Sequence, residues 1–221
     1  MDSALFERLE KIGAESIRPG FALAPGVVTS NLDILGEGRV QVRVPSIPDF
    51  EPWARVLGVG GGSSRGFCWI PQIDDEVLVG FAQNDLSSAY VIGGLWSMRD
   101  RPPITIPTEF LTKRVIKTGV AGGLGHEVEF DDLLQSVTIT TSTKQKIAID
   151  PTAIEISTTG GSVSVKLDLT SQTVSIQAPL KIEMKASQIS LEGLTVDIKG
   201  TNINIQAAGP CSVTGLPIKL N

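Results

Sequence analysis

The sequence has few aromatic residues, a single histidine and only two cysteines. Aromatic side chains make up 5% of the 221 residues, with one tyrosine and three tryptophans. The apolar 41% is therefore carried mainly by Val, Ile and Leu, residues that favour β-strands. A lone histidine, His126, supplies neither a His-x-His metal motif nor a Ser-His-Asp arrangement. We predict no catalytic residue, no metal ligand and no cofactor.

Two further scarcities limit the classes of protein to consider. No stretch approaches the roughly 20 apolar residues of a membrane span, and the start MDSALFERLEKIGAES lacks the apolar core of a secretory signal. The net charge is -5, which argues against a nucleic-acid partner because phosphate contacts need clustered Lys and Arg. Cys68 and Cys211 lie far apart, and two buried free thiols are favoured over one disulfide.

The first segment, residues 1–23, contains the one helix that the sequence predicts. Apolar residues recur at helical spacing in Leu5, Leu9 and Ile12, with charged residues on the other faces. Pro19 and Gly20 then end the pattern. Such a short helix is either a surface packing element or a contact for a partner.

Residues 24–98 predict a small antiparallel β-barrel. Short alternating stretches such as GRVQVRVPSI are separated by turn residues. Five or so strands in this length are typical of an oligonucleotide/oligosaccharide-binding (OB) barrel. Residues 99–125, rich in Pro and Gly, are expected to form a linker.

From residue 126 to residue 221, pairs of aliphatic residues separated by one residue recur. Between residues 182 and 206 the pairs restart every seven residues. Because strand side chains alternate between two faces, each repeat supplies one short strand with two inward side chains. The predicted core of this stretch is Ile182, Met184, Ile189, Leu191, Val196, Ile198, Ile203 and Ile205. The earlier pairs are Val137/Ile139, Ile147/Ile149, Ile154/Ile156, Val163/Val165 and Val174/Ile176.

Such a fixed short period is typical of a β-helix. One chain could stack the repeats as short coils, but each repeat offers one strand where a single-chain coil needs three to enclose a core. Three identical chains wound about one axis would enclose the inward pairs jointly and pair their strand edges with each other. We therefore predict an all-β protein: a short helix, an OB barrel and an intertwined trimeric, triple-stranded β-helix on the order of 50 Å long.

The chain resembles the spike proteins of contractile injection machines, both the phage baseplate protein V type and the VgrG proteins of type VI secretion. The barrel strings that carry the resemblance are GRVQVRVP, CWIPQIDDEVLVGF, and SAYVIGGLW followed by RDRPP. VIKT (115–118) and HEVEFDD (126–132) resemble strings that precede the β-helix in VgrG proteins. The closing VTGLPIKLN resembles the blunt tip of such spikes.

The resemblance implies a non-enzymatic, membrane-puncturing homotrimer that docks on a trimeric hub. VgrG proteins carry the hub in the same chain, ahead of the barrel. Here residues 1–23 precede the barrel and are too few for a hub, so a separate hub protein is expected. Leu5, Leu9 and Ile12 are expected to contact it. The flat tip implies a cap of the PAAR-repeat type, bound by Val213, Pro217, Ile218, Leu220 and Asn221. Assembly is expected in the bacterial cytoplasm, within a virion, phage-like particle or type VI-like system. Contraction would then deliver the spike into the target, with only transient contact with its membrane.

Other functions have weaker support in the sequence. A carbohydrate-binding or carbohydrate-cleaving β-solenoid would need aromatics and paired carboxylates along a groove, but no Trp or Tyr follows Trp96. Asp74, Asp75 and Glu76 could suggest carboxylate catalysis, but a tight turn before a strand explains them more simply. The glycine-rich stretch 58–66 lacks the Gly-Lys-Ser/Thr ending of a phosphate loop. Trp53, Trp69 and Trp96 are expected in the barrel core or at its edges.

Overall fold

The structure is a computed structural model that describes residues 23–119 and 124–218. The predicted helix with Leu5, Leu9 and Ile12 lies outside the described residues. The regular secondary structure of the described chain is β-strand, apart from three short 3-10 turns at Ala82–Asn84, Pro107–Leu111 and Thr159–Gly161. Within it, no helix has the length and apolar character needed to cross a bilayer. The predicted all-β class is confirmed.

Five strands form a closed barrel. They are β1 (Leu23–Ser30), β2 (Arg39–Arg43), β3 (Trp53–Val56), β4 (Glu76–Phe81) and β5 (Ala89–Gly94). The order around the barrel is β1-β2-β3-β5-β4, and β4 pairs with β1 to close it. All pairs are antiparallel except β3 with β5. This arrangement is the OB-type barrel that the sequence predicts, and closure removes the free strand edges.

Valine is the main residue of the barrel core. Inward positions alternate along each strand, as the period of two requires. Seven valines are essentially inaccessible, and Phe81 with three alanines completes the core. The seven are Val28, Val40, Val42, Val44, Val77, Val79 and Val91. None of the three tryptophans is among the buried residues, so all three lie outside the barrel core, and Trp53 is the first residue of β3.

Seven further strands form an antiparallel sheet. They are β6 (Lys113–Lys117), β7 (Glu127–Asp131), β8 (Ser136–Thr140), β9 (Lys146–Ile149), β10 (Ala153–Ser157), β11 (Ser164–Asp168) and β12 (Thr173–Gln177). Each strand pairs with the next along the chain, so the sheet is a simple meander.

The sheet differs from the sequence prediction at two places. Strand β6 lies inside the predicted linker, because VIKT continues an alternating stretch that pairs with β7. The pair on β11 is Val165/Leu167, whereas Val163 of the predicted pair Val163/Val165 precedes the strand, although it borders an apolar groove together with Val165. The backbone of Val163 instead closes the preceding turn, with its N–H donated to Thr158 Oγ1 at 3.2 Å.

The two cysteines also differ from expectation. Cys68 and Cys211 are free, and both are exposed in the single chain. The prediction of buried thiols is therefore wrong for the isolated chain. Cys68 lies in the long loop between β3 and β4, where Phe67 and Trp69 on either side are exposed too.

Close packing at Gly26 gives a test of the barrel. A Cβ at this position would lie 2.5 Å from Val42 Cγ1 and 3.2 Å from Val79 Cγ2. We expect Gly26→Ala to destabilise the barrel by about 1–3 kcal/mol through overpacking. All three tryptophans lie in the barrel segment, so tryptophan fluorescence during urea unfolding reports on this unit.

Gly93→Ala is the matched control, because a Cβ there meets nothing within 4 Å. The control should unfold at nearly the same urea concentration as the parent chain. Equal midpoints for Gly26→Ala and Gly93→Ala would contradict the packing described for the core.

Candidate assembly interface

One face of the seven-stranded sheet carries two continuous rows of apolar side chains. Residues directly opposite each other in antiparallel strands point to the same face, so the register determines which side chains are neighbours. The first row is Ile116, Val128, Ile139, Ile147, Ile156, Val165 and Ile176. The second row is Phe130, Val137, Ile149, Ile154, Leu167 and Val174.

This apolar face has no cover from residues 23–119 and 124–179, the described part of the unit to which the sheet belongs. No member of either row is buried, and the more exposed ones range from 37% accessible at Ile154 to 69% at Val174. The face is also concave, with a groove of about 340 Å3 bounded by Ile139, Ile147, Ile156 and Val165. A contiguous apolar surface of this kind marks an interaction site.

The opposite face of the sheet is polar and carries ion pairs. Lys113 Nζ lies 3.1 Å from Glu109 Oε1 and 3.6 Å from Glu129 Oε1. Lys117 pairs with Glu127 at 2.7 Å. The acidic neighbours of Lys113 raise its pKa above the usual value, chiefly through the hydrogen bond with Glu109. The sheet is therefore amphipathic, with one solvated face and one face suited to burial.

The turns at the two edges of the sheet are built in two different ways. The turns after β7, β9 and β11 use the carboxylates of Asp131, Asp150 and Asp168 to accept backbone N–H groups. At the other edge, hydroxyls of Thr118, Thr141 and Thr158 accept backbone N–H groups after β6, β8 and β10. Both are local side-chain turns, and they fix the strand register.

The aspartate turns also stabilise the ionised carboxylates. The Ser171 backbone N–H, followed by the Lys166 ammonium group, lowers the pKa of Asp168 to about 2. The Thr152 hydroxyl lowers the pKa of Asp150. The pKa values of these two carboxyls are lower in the folded protein than in the unfolded chain. The aspartate turns therefore stabilise the fold fully above about pH 4, and this stabilisation is lost as the pH falls through the folded-state pKa values.

The seven-residue repeat continues beyond the sheet without strands of its own. Within the described residues 178–218, no residue belongs to a helix or a strand. Lys181 and Lys185 both pair with Glu183, at 3.2 and 2.9 Å. Alternate residues therefore share a side, as in an extended chain.

The predicted core side chains of the repeat are exposed in a regular manner. The first member of each pair, Ile182, Ile189, Val196 and Ile203, is 51–56% accessible. The second member, Met184, Leu191, Ile198 and Ile205, is 64–74% accessible. Every repeat thus has the same environment, but a single chain encloses none of these side chains, and their role as a core stays a prediction.

The predicted tip residues are only partly described. Val213 and Ile218 are exposed, whereas Leu220 and Asn221 lie outside the described residues, as do Leu5, Leu9 and Ile12. Their roles as contacts for a cap and a hub stay predictions.

The alternative catalytic and metal sites have simple structural explanations. Asp75 accepts the Gln72 N–H at 2.8 Å, and Asp74 has a φ of +73°, so the acidic cluster forms the turn before β4. His126 is exposed, and its backbone N–H donates to Thr118 Oγ1 at 2.8 Å. No group of metal-ligating side chains occurs among the described residues.

Comparison with known proteins agrees with the barrel topology. Residues 24–96 match the model of the type VI secretion system/phage-baseplate injector OB domain. This stretch of the chain is therefore similar to an injector OB domain. The match covers the barrel strands β2 to β5 completely and all but the first residue of β1.

Curated relatives include VgrG proteins of two bacteria. The actin cross-linking toxin VgrG1 of Vibrio cholerae is 37% identical over 81 residues, 36% of this chain and 7% of that protein. The type VI secretion system spike protein VgrG5 of Pseudomonas aeruginosa is 35% identical over 82 residues, 36% of this chain and 10% of that protein. VgrG2a of the same bacterium is 28% identical over 101 residues, 43% of this chain and 12% of that protein. The predicted resemblance to VgrG-like spikes is confirmed, although the chain spans only about a tenth of these relatives' length.

Proposed function

We propose that the protein is a structural, non-enzymatic spike of a contractile injection apparatus, assembled as a homotrimer. The observation that carries the proposal is the uncovered apolar face of the sheet, together with the injector OB domain next to it in the chain. Three copies that turn this face toward a common axis would bury both rows. The other copies would also supply strand partners for residues 178–218.

The size of the exposed apolar face supports assembly. Complete burial of an aliphatic side chain contributes about 1.5–3 kcal/mol, so covering the exposed half of one contributes roughly 1 kcal/mol. The two rows then contribute on the order of 10 kcal/mol per copy before ordering and association entropy are subtracted. Leaving this surface in water would instead favour nonspecific aggregation.

The assembled rod would transmit axial force. In this proposal the barrel docks on a trimeric hub and the rod points outward, capped by a PAAR-repeat protein at the tip. Assembly takes place in the bacterial cytoplasm as part of the particle, and contraction drives the spike through the target membrane. Interwound strands suit this task, because unwinding one chain would remove strand partners from two others.

Sedimentation analysis of a matched pair of variants tests the trimer. Ile147→Glu places a charge in the first apolar row, where burial of an unpaired carboxylate costs several kcal/mol. We expect this variant to sediment as a monomer while the parent chain sediments as a trimer. Ser175→Glu is the control, since Ser175 lies opposite Lys166 on the polar face, and this variant should remain trimeric. A monomeric parent chain, or a trimeric Ile147→Glu variant, would contradict the proposal.

Truncation after Gly209 tests the cap. The shortened chain lacks Val213, Pro217 and Ile218, so a tagged PAAR-repeat protein should no longer co-purify with it. The sedimentation coefficient should still correspond to three copies, because the sheet and the repeats up to Ile205 are retained. Undiminished capture of the PAAR-repeat protein by the truncated trimer would show that the tip is not its binding surface.

A further inference from the structure

The loop between β1 and β2 exposes three large aliphatic side chains. Leu32, Ile34 and Leu35 are 67–89% accessible and lie within a span of four residues. Such a concentration of exposed aliphatics in one short loop is unfavourable unless something covers it. We refer to these three residues as the apolar knob.

The knob is held in place by a carboxylate inside the loop. The side chain of Asp33 is only 6% accessible and accepts N–H groups from Leu35, Glu37 and Arg39 at 3.0–3.1 Å. The Arg39 guanidinium donates to the same carboxylate at 3.1 and 3.3 Å and lies 5.8 Å from the centre of the Trp53 ring. The loop is therefore organised before it meets a partner, which lowers the entropy cost of binding.

The strand directions place the knob at one end of the barrel. This is the end at which β5 finishes and the chain continues to the sheet. Strand β4 is antiparallel to both β1 and β5, so β1 and β5 end at the same side. Near this end, Leu95 N–H donates to the Glu76 carbonyl and Val28 N–H donates to the Asp75 carbonyl. We call this side the exit end.

A large apolar groove opens at the same exit end. It has a volume of about 1330 Å3, and its lining includes Leu57, Val59, Phe67, Trp69, Trp96 and Ile116. The rings of Phe67 and Trp69 are stacked, with centroids 5.5 Å apart and planes 8° apart. Pockets for small molecules are usually about 300–1,000 Å3, so this groove suits a protein segment better.

The groove is continuous with the proposed trimer interface. Ile116 of β6 lines the groove and is also the first member of the first apolar row. The knob of the same chain does not fill the groove, because its side chains remain exposed even though Glu37 and Gly38 border the groove. A second copy that covers the apolar row is therefore brought to the edge of the groove.

We infer that the knob of one copy inserts into the groove of the next copy. Knob and groove are different surfaces of one chain, so the contact is head-to-tail, and three such contacts close a ring. The inference rests on the proposed homotrimer and adds to it a contact at the level of the barrel. It fixes the angle between neighbouring barrels where the rod begins.

Cysteine cross-linking tests this contact with a thiol that the chain already has. Cys68 is exposed between Phe67 and Trp69 in the groove. In a Cys211→Ser background, Ile34→Cys and, separately, Leu35→Cys are oxidised mildly and analysed on denaturing gels without reductant. We expect covalent dimers and then covalent trimers, because head-to-tail contacts link all three chains. Ser46→Cys, an exposed position in the β2–β3 loop at the opposite end, is the control and should stay uncross-linked.

The solution mass of the unoxidised sample distinguishes failure of the homotrimer proposal from failure of the knob-and-groove contact. A trimer in which neither knob variant forms intermolecular disulfides would overturn the knob-and-groove contact and leave the spike proposal intact. Disulfides confined to single chains, or covalent dimers without trimers, would also overturn the contact. A monomeric sample would contradict both proposals.

Discussion

The apolar face of the seven-stranded sheet is the constraint on which the rest of the account depends. One row of apolar side chains crosses all seven strands and a second crosses six, from β7 to β12, and residues 23–119 and 124–179 offer nothing to cover them. In the proposed spike, further copies of the chain cover this surface. The same condition applies to the repeat of residues 178–218, where exposed aliphatic pairs coincide with a backbone that forms no strand. The proposed arrangement of three copies around an axis would meet both conditions.

The barrel and the sheet reach stability by different routes. In the barrel, seven valines fill a closed core, and the strands leave no free edge. In the sheet, aspartate and threonine turns fix the register, but the described residues 23–119 and 124–179 leave the apolar face exposed. The barrel thus encloses its own core, whereas in the proposal the sheet buries its apolar face only in the trimer. This division suits a spike, in which one part positions the molecule and the other bears load.

Sequence periodicity predicted the strands well, because alternation depends only on the period of two. The barrel strands and the pairs at Ile147/Ile149 and Ile154/Ile156 followed directly from it. Strand β6 was missed because the Pro- and Gly-rich residues around it suggested a linker. The aspartate and threonine turns were visible as Asp or Thr at each strand end, but the pattern had meaning only once the register was known. The apolar knob could not be predicted, since the accessibility of Leu32, Ile34 and Leu35 depends on the tertiary path of the loop.

The central claim is that residues 178–218 become strands only through pairing between copies. Amide hydrogen exchange of the full chain, followed by mass spectrometry of peptides from this region, measures that pairing directly. The account predicts slow exchange across the repeats in the assembled protein, since their N–H groups would be bonded to neighbouring chains. It also predicts fast exchange in the same peptides when the chain is held as a monomer. Fast exchange throughout residues 178–218 in the assembled protein would contradict the account.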